Sequence, residues 1–286
     1  MTVIASSLAE NRLSETVSVF TYGGETLATS YGTNAVAFFG DRGIVLVDPF
    51  VSPVLAAELD AQLRTRTAVP VTHVVLTHHH TDHALGAGYF AKRGAEVIAH
   101  AEAAARMEAE HPNLIAERRR IPEVAHLFES AAPYVPSHVV SDGLLLDGGG
   151  LRLDVFHPGH AHTPGDLCVY APALGVLVAG DLVSIGYHPN LEDADVAGWR
   201  AALERLRSLP FWMLVPGHGW AGGREGVDDQ LLYLDEAERI VRSALRTGTE
   251  EDACAALTRA FPDHLLALVV RDSVKRLSTL KRVPPT

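Results

Sequence analysis

Histidine and aspartate side chains are concentrated in one short segment of the chain. The stretch "LTHHHTDHALGAG", Leu76 to Gly88, places four histidines and one aspartate within six positions, directly after the apolar run "VTHVVL". Imidazole and carboxylate groups without a thiolate form the ligand set expected for zinc, and iron or manganese would also accept it. The segment therefore predicts a metal site, provided that other parts of the chain supply further ligands.

Three later polar clusters could supply those ligands. They are "HAHTPGD" at positions 160–166, "AGD" ending at Asp181, and "PGHG" around His218, and each follows a strand-like apolar run. Strand ends that meet at one edge of a sheet bring their loops together, which is where α/β proteins place their chemistry. A chance run of surface histidines would not explain the three later partners, so the pattern favours a metal centre built from all four clusters.

The composition limits the partners of the protein. The chain has 286 residues, 47% of them hydrophobic and 21% charged, and its formal net charge is −11. This length suffices for a large core, and the acidic balance disfavours nucleic acid, which attracts a basic surface. The short "ERRR" at positions 117–120 is interpreted as a solvated helix face. A small molecule is the expected partner.

Cysteine usage and the apolar runs bear on location. Cys168 and Cys254 are the two cysteines of the chain, and such a pair makes no disulfide framework. The start "MTVIASSLAENRLSET" lacks the features of a signal peptide, and no apolar stretch approaches the roughly 20 residues that span a bilayer. These observations predict a cytoplasmic, soluble protein without a membrane partner.

The pattern of secondary structure predicts one domain over residues 1–286. "NAVAFFGDRGIVLVDPF" is typical of a hairpin, "PVLAAELDAQLRTR" of a helix, and "TDHALGAGYFAKRG" of a helix that opens with Asp82 and His83. Residues 101–137 are predicted to be a helical insertion interrupted by four prolines. Strands follow, then the helix "VAGWRAALERLRSLP", and residues 228–286 form a predicted C-terminal helical segment that covers the core or pairs two chains.

The order and spacing of the polar clusters resemble a known family. His78-x-His80-x-Asp82-His83, followed by His162, Asp181 and His218, is similar to the motif set of the metallo-β-lactamase superfamily, and the resemblance covers residues 34–218. It implies an α/β (α+β) fold, a four-layer αββα sandwich with C-terminal helices. It also implies a dinuclear metal site along one edge of the sandwich, with zinc as the expected metal and iron or manganese as alternatives.

The resemblance assigns seven ligands to two ions. The first ion would be held by His78, His80 and His162, the second by Asp82, His83 and His218, with Asp181 bridging both.

Neighbouring polar residues receive other assignments. The family's histidine stands directly before threonine, which favours His162 over His160 as a ligand. His79 lies between two ligands and is expected to point away from the ions, because successive residues of an extended segment alternate in direction. Asp48 is expected to accept a hydrogen bond from a ligand imidazole. Whether His160, Tyr187 or His188 contacts substrate is left open.

A pair of ions held by these residues would perform hydrolysis. Such a pair lowers the pKa of a shared water and produces a bridging hydroxide, which would attack an activated acyl bond in a thioester, lactone, ester or β-lactam. Asp82 and Asp181 are the expected catalytic residues. Aspartate at position 181 resembles glyoxalase II and the lactonases of the superfamily and differs from the lactamases that have a cysteine ligand there.

Two other functions fit the same residues. Sulfur dioxygenases of the superfamily keep the H-x-H-x-D-H motif and use one iron, so a mononuclear iron enzyme is the first alternative. A protein with a structural metal and no catalysis is the second, although structural zinc sites are usually closed and rich in thiolate. A homo-oligomer formed through the C-terminal helices is compatible with either.

Overall fold

The protein is described from a computed structural model, which covers residues 7–280. The ends of the predicted 1–286 domain and of the predicted 228–286 segment lie outside the described residues, at positions 1–6 and 281–286. Within the described part, the chain forms two β-sheets flanked by helices. No helix in that part is long and apolar enough to cross a membrane.

Seven strands form the first sheet, in spatial order β1 to β7. β4, β5, β6 and β7 run parallel to one another, so their carboxyl ends meet at one edge of the sheet. The strands are β1 (Ala9–Arg12), β2 (Val17–Thr21), β3 (Ala35–Phe39), β4 (Ile44–Val47), β5 (Val71–Val75), β6 (Glu96–His100) and β7 (His138–Val140).

Five strands form the second sheet, in the order β12-β11-β10-β9-β8. Its neighbouring strands are antiparallel except for the pair β11 and β12, which is parallel. The strands are β8 (Gly143–Asp147), β9 (Arg152–Phe156), β10 (Cys168–Ala171), β11 (Val176–Ser184) and β12 (Met213–His218).

Helices cover the outer face of each sheet. The predicted helix at residues 53–66 is confirmed: Ser52 accepts a hydrogen bond from Leu55 N at 3.2 Å, and proline occupies the first helical position. The α-helices are α1 (Pro53–Arg66), α2 (Thr81–Ala84), α3 (Ala87–Ala91), α4 (Ala101–Arg118), α5 (Ala125–Phe128), α6 (Val196–Arg207), α7 (Glu225–Ala244), α8 (Glu250–Ala260) and α9 (Val270–Ser278). Short 3₁₀ turns occupy Leu27–Gly32 and Ala267–Val269.

Three apolar layers hold the molecule together. The first sheet packs its outer face against α1, α3 and α4, the two sheets pack against each other through side chains such as Val45 and Val178, and the second sheet packs against α6 to α9. This arrangement of helix, sheet, sheet and helix confirms the predicted four-layer αββα sandwich.

Two helix predictions need correction. The helix predicted over residues 81–94 is split into α2 and α3, because a side chain at Gly86 would overlap the carbonyl oxygen of Pro49 and the chain turns at this close approach. Pro112 does not break the predicted insertion: it lies inside α4, which runs without interruption from Ala101 to Arg118. The other three prolines, at positions 122, 133 and 136, lie outside helices, in agreement with the prediction.

The C-terminal helices cover the second sheet. α7 begins at Glu225, three residues before the predicted start, and buries Val227, Leu234 and Val241 in the core that it shares with β11 and α6. Its apolar stripe therefore packs within the chain, which is the commoner fate of such a stripe.

Candidate metal centre

The histidine-rich segment begins at the carboxyl end of β5. β5 is an interior strand paired with β4 and β6, and the chain leaves it at Val75 to form the loop that contains His78 and His80. α2 begins directly afterwards at Thr81, so Asp82 and His83 lie in its single turn. The sequence thus turns from strand to helix within the motif, and this places its ligands on two sides of the loop.

The other three ligands come from the second sheet. His162 lies in the loop between β9 and β10, Asp181 lies within β11, and His218 ends β12. Two contacts join these elements to the first sheet: Leu167 N donates to Thr77 O at 2.6 Å, and the Asn34 side chain donates to Gly219 O at 2.7 Å. All four predicted clusters therefore meet where the two sheets share an edge.

The first three predicted ligands converge on one point. His78 Nε2 and His162 Nε2 each lie 3.1 Å from His80 Nδ1. Two atoms that bind the same zinc tetrahedrally, each about 2.0–2.1 Å from it, are separated by about 3.4 Å. The three nitrogens therefore have the spacing that a shared ion requires.

The second three ligands converge in the same way. Asp82 Oδ2 lies 3.4 Å from His83 Nε2 and 3.4 Å from His218 Nε2. Thr33 Oγ1 donates to the same carboxylate oxygen at 2.8 Å, which fixes the orientation of Asp82. These three side chains form a second group of potential ligands beside the first.

Asp181 lies between the two groups. Its Oδ2 is 3.6 Å from His162 Nε2 in the first group and 3.3 Å from His218 Nε2 in the second, and its Oδ1 is 3.2 Å from His83 Nε2. One carboxylate thus contacts both groups, which is the position predicted for a bridging ligand.

Two polar atoms of this cluster are buried 3.2 Å apart without forming a hydrogen bond in the described part of the chain. His83 Nε2 and Asp181 Oδ1 are buried and make no hydrogen bond among the residues that the structure describes. A buried polar atom without a partner is costly, so it points to a ligand or an ion. The residues present therefore fit a pair of divalent ions.

Three of the ligand histidines turn the outer ring nitrogen toward a hydrogen-bond acceptor. His83 Nδ1 donates to Asp48 Oδ2 at 2.8 Å, and His218 Nδ1 donates to the carbonyl oxygen of Tyr31 at 3.1 Å. His80 Nε2 faces Asp193 Oδ2 at 3.4 Å. When the outer nitrogen carries the proton, the inner nitrogen keeps its lone pair for an ion, and this second layer of contacts is typical of metal sites.

Thr77 performs the same role for His78. Thr77 Oγ1 donates to Asp48 Oδ2 at 2.6 Å, so it accepts from His78 Nδ1, which lies 2.9 Å away. Asp48 also accepts from Thr77 N at 2.8 Å. The predicted contact between Asp48 and a ligand imidazole is therefore present, and it extends through Thr77 to a second imidazole.

Burial in the case of His162, and neighbouring imidazoles in the case of Asp181, keep these side chains in the protonation state that ligation needs. It lowers the pKa of His162 to about 3, which leaves that imidazole neutral. Burial alone would raise the pKa of Asp181, but the nearby imidazoles of His218 and His83 outweigh it and hold that pKa well below its usual range. Neutral imidazole and ionised carboxylate are the forms that bind divalent metals.

His79 points away from the two groups, as expected. Its ring lies against helix α4, with Nε2 3.5 Å from Asp193 Oδ2 and 3.7 Å from Glu110 Oε2. His79, His80 and Asp193 would form a third group of potential ligands, but the guanidinium of Arg106 is bonded to Asp193 and would repel a further cation there.

A glycine allows Asp181 to approach β12. A side chain on Gly217 would overlap Asp181 Oδ1, so the residue before His218 must be glycine for the carboxylate to reach the cluster. This close packing explains why glycine precedes His218 in the stretch "PGHG".

The ligand cluster opens into a cavity of about 440 Å³, lined in part by His80, Asp82, Asp181 and His218. His188 also lines this cavity, and its Nδ1 forms a hydrogen bond with Tyr233 Oη, 2.6 Å away. A larger cavity of about 760 Å³ shares Ser184 with the first, but none of the seven ligand residues lines it.

The remaining residues of interest lie in different places. His160 is exposed and bonds the carbonyl oxygen of Asp193 at 2.9 Å through Nε2. The Tyr187 ring lies 5.4 Å from that of His218, and its hydroxyl donates to Gly24 O. The ring of His157 stacks on that of His100.

Sequence reasoning missed four contributors to the site: Thr33, Thr77, Asp193 and the carbonyl oxygen of Tyr31. Thr77 directly precedes the motif and could have been found by its position. The others depend on contacts between segments that are distant along the chain, for which the sequence carries no local signal.

Comparison with known proteins agrees with this architecture. Residues 28–218 match the metallo-beta-lactamase superfamily. Among solved structures, a metallo-beta-lactamase from Pontibacter korlensis is 25% identical with a TM-score of 0.64, covering 80% of this chain and 99% of that one. The mono-zinc form of the metallo-beta-lactamase FIM-1 from Pseudomonas aeruginosa, at 20% identity and a TM-score of 0.62, covers 80% of this chain and 96% of its own and shares the fold.

Curated relatives match about three quarters of the chain. The alpha subunit of 2,4-dinitroanisole O-demethylase from Nocardioides sp. (strain JS1661) is 27% identical over 76% of this chain, and the match spans 62% of that relative's length. Metallo-beta-lactamase type 2 from Bacillus cereus is 26% identical over 76% of this chain and 79% of its own.

Fold, site and sequence together define the class: the chain belongs to the metallo-β-lactamase superfamily. Membership in this family and the groups of histidine and aspartate side chains indicate a metal-dependent hydrolase that binds divalent ions, although the family also includes members that do not hydrolyse.

Proposed function

We propose that the protein is a dinuclear-metal hydrolase that cleaves an activated acyl bond in a thioester, lactone, ester or β-lactam. The observation that carries this proposal is the position of Asp181, whose carboxylate contacts both groups of potential ligands. A single ion would leave one group without a role, whereas two ions would use all seven side chains.

Two divalent ions at this site would lower the pKa of water toward neutrality and polarise a carbonyl group. The protein's own side chains would hold the two ligand groups together and orient the attacking water. Asp181 would keep the two groups together, and Asp82, fixed by Thr33, would orient the attacking water. Water adds to the acyl carbon, the bond from that carbon to the leaving group breaks, and the water's proton leaves with the departing group.

The donor set supports zinc as the metal. Five imidazoles and two carboxylates, with no thiolate, leave room for water, as catalytic zinc sites do. The outer contacts of His80 and His83 with carboxylates are those that orient imidazole ligands. We also propose a cytoplasmic location, which two unpaired cysteines, Cys168 and Cys254, support.

The substrate is to be sought among small molecules, because the cavity of about 440 Å³ is of the size that holds them. The relatives include a β-lactamase and a 2,4-dinitroanisole O-demethylase. Family membership therefore does not determine which bond of the substrate is cleaved. A test panel should therefore include a nitroaryl methyl ether beside acyl compounds.

The decisive experiment is to measure hydrolysis of a lactone, a thioester, a β-lactam and 2,4-dinitroanisole by protein of known metal content. We expect two zinc ions per chain and turnover of at least one acyl compound without consumption of oxygen. Asp181→Ala should abolish turnover, whereas Asp41→Ala, which removes an exposed aspartate remote from the cluster, should not.

The same measurements decide between the alternatives. One iron per chain with oxygen uptake would replace the proposal with a sulfur dioxygenase. Full metal loading with no turnover of any compound on the panel would favour a metal-binding protein without catalysis.

A further inference from the structure

Helix α4 presents one face to the cavity of the metal centre. Arg106, Glu110, Leu114 and Arg118 all line this cavity, and they are spaced four residues apart. Residues at this spacing lie on one side of a helix, and at 1.5 Å per residue the row extends about 18 Å along the cavity wall. The row therefore forms part of the cavity wall.

The two arginines at the ends of this row differ in their partners. Arg106 donates to Glu110 Oε1 at 2.6 Å and is also bonded to Asp193, so carboxylates neutralise its charge. Arg118 has no carboxylate within 4 Å among residues 7–280. A positive charge on the cavity wall is therefore left without an anionic partner at the Arg118 end.

Arg118 also has hydrogen-bond donors to spare. Its Nη2 donates to Thr81 Oγ1 at 2.8 Å. Its Nε is buried without a partner in the described part of the chain, and no hydrogen bond is formed there by Nη1 either. Thr81 directly precedes Asp82 in α2, so the guanidinium is hydrogen-bonded to the helix that carries two ligands of the second group.

A purely structural role does not account for this arrangement. Arg118 ends α4, where a positive charge stabilises the helix, and its guanidinium lies 5.9 Å from the Phe128 ring. Both effects require a cation, but neither requires a buried Nε without a partner on a residue that lines the cavity. A lysine or an arginine turned toward solvent would serve the helix end equally well.

The rest of the cavity indicates what kind of molecule would meet this charge. Leu114, in the middle of the row, and Leu266, Leu268 and Val269 from the C-terminal segment give the cavity apolar surface. The acidic residues that line it and lie outside the ligand groups are at the opposite end: Glu110 and Asp193 contact Arg106, and Glu192 is adjacent to Asp193. The lining thus suits an apolar body with one negatively charged end.

We propose that Arg118 binds a carboxylate of the substrate, so that the protein hydrolyses acyl compounds that carry an anionic group. The inference rests on the proposed hydrolase function and adds a substrate class to it. Arginine binds carboxylates through two parallel N–H donors, which would orient the acyl bond toward the ligand cluster.

Matched pairs of neutral and anionic substrates test the proposal. S-acetyl-3-mercaptopropionate is compared with its carboxamide, and benzylpenicillin with its carboxamide. We expect the wild-type protein to favour the acid of each hydrolysed pair by about tenfold or more in kcat/KM, the range expected for a hydrogen bond to a charged group. Arg118→Gln should remove the preference by raising KM for the acid of each pair.

Arg120→Gln is the matched control, because Arg120 is exposed, lies two residues away and does not line the cavity. It removes the same charge and should preserve the preference for the acid. Arg118→Lys should retain part of that preference. Equal discrimination by wild type and Arg118→Gln, or loss of discrimination in Arg120→Gln, would overturn the assignment.

A binding measurement separates this proposal from the proposed activity. Benzenesulfonate is an anion that ligates zinc poorly, and its binding to the zinc-loaded protein can be followed by calorimetry. We expect affinity to fall about tenfold in Arg118→Gln and to remain in Arg120→Gln. If neither these pairs nor any acyl compound of the wider panel is hydrolysed, the hydrolase function fails and this titration alone decides the anion site. Equal affinity in wild type and Arg118→Gln, or no binding by wild type, contradicts that site.

Discussion

Asp48 Oδ2 lies 2.8 Å from His83 Nδ1, and the same oxygen accepts a hydrogen bond from Thr77, the neighbour of His78. Asp48 follows strand β4 directly and adopts a left-handed backbone conformation with φ of 54°, and its carboxylate contacts His83 and Thr77. One aspartate that is not itself a ligand therefore orients a histidine in each group of the metal centre.

Replacing this carboxylate should weaken metal binding while the ligands stay in place. Asp48→Asn keeps the size of the side chain and tolerates the left-handed backbone, but it loses the charge that polarises the imidazoles. We expect metal affinity to fall about 10–100-fold, measured by competition with a chelator. Asp41→Asn, which changes an exposed aspartate, should leave affinity unchanged; the same affinity in Asp48→Asn would contradict the orienting role.

The bridging position of Asp181 predicts a change in stoichiometry. Asp181→Ala removes the carboxylate that contacts both groups, so at most one ion should remain per chain and activity should fall by more than about 100-fold, beyond the range of outer-contact substitutions. Circular dichroism should show that the fold survives. Two tightly bound ions in Asp181→Ala, counted by elemental analysis, would be incompatible with a bridge.

The two histidines of "HAHTPGD" should behave differently. His162 points Nε2 at the first group, whereas His160 is exposed and holds a backbone carbonyl. His162→Ala should lose an ion, and His160→Ala should keep both. Elemental analysis of the two purified variants checks this, and the opposite pattern would exchange their roles.

Enlarging Gly217 should act on the site through Asp181. In Gly217→Ala the added methyl group overlaps Asp181 Oδ1 and pushes the carboxylate from the cluster. We expect reduced metal loading with little change in secondary structure. Gly222→Ala is a suitable comparison, since a methyl group there meets only the Glu225 side chain at an ordinary contact distance. Equal metal content in both variants would show that Asp181 does not depend on this packing.

The buried His111 should make stability depend on pH. Burial lowers its pKa to about 4, while its Nε2 donates to the carbonyl oxygen of His79 at 2.7 Å. The unfolded chain binds a proton near pH 6.5 and the folded chain does not, so this contribution is complete above pH 6.5 and is lost as pH falls toward 4. It amounts to about 3 kcal/mol.

His111→Gln, which keeps an N–H donor but does not titrate, supplies the comparison. Urea unfolding of the metal-free proteins between pH 7 and pH 4 should give a smaller loss of unfolding free energy for the variant than for wild type. Parallel curves for the two proteins would rule out the contribution of this histidine.

The sequence predicted the parts of the fold that depend on local pattern. The hairpin around "GDRG" and helix α1 appear where periodicity and capping place them, because Ser52, Pro53 and the alternating apolar runs act within a few residues. The split after α2 escaped prediction, since it follows from contact between Gly86 and Pro49, which are far apart along the chain.

The candidate site, like the fold, was predictable only where nearby residues carry the signal. The seven proposed ligands were found because residue type and order carry the resemblance to the family, and the structure brings them together. Asp193 and Tyr31 reach the site only through folding between the two sheets, and their own sequence neighbourhoods contain no metal-binding pattern. That these residues hold metal stays a prediction until ions are counted.

The seven proposed ligands, Asp181 among them, come from segments that begin at residue 78 and end at residue 218, and they join one sheet to the other. During synthesis on the ribosome, the early histidines emerge long before their partners. A complete cradle for ions therefore exists only after β12 has left the exit tunnel and docked beside β11. Any metal that these seven residues hold would therefore bind only after β12 has been made, late in the folding of the chain.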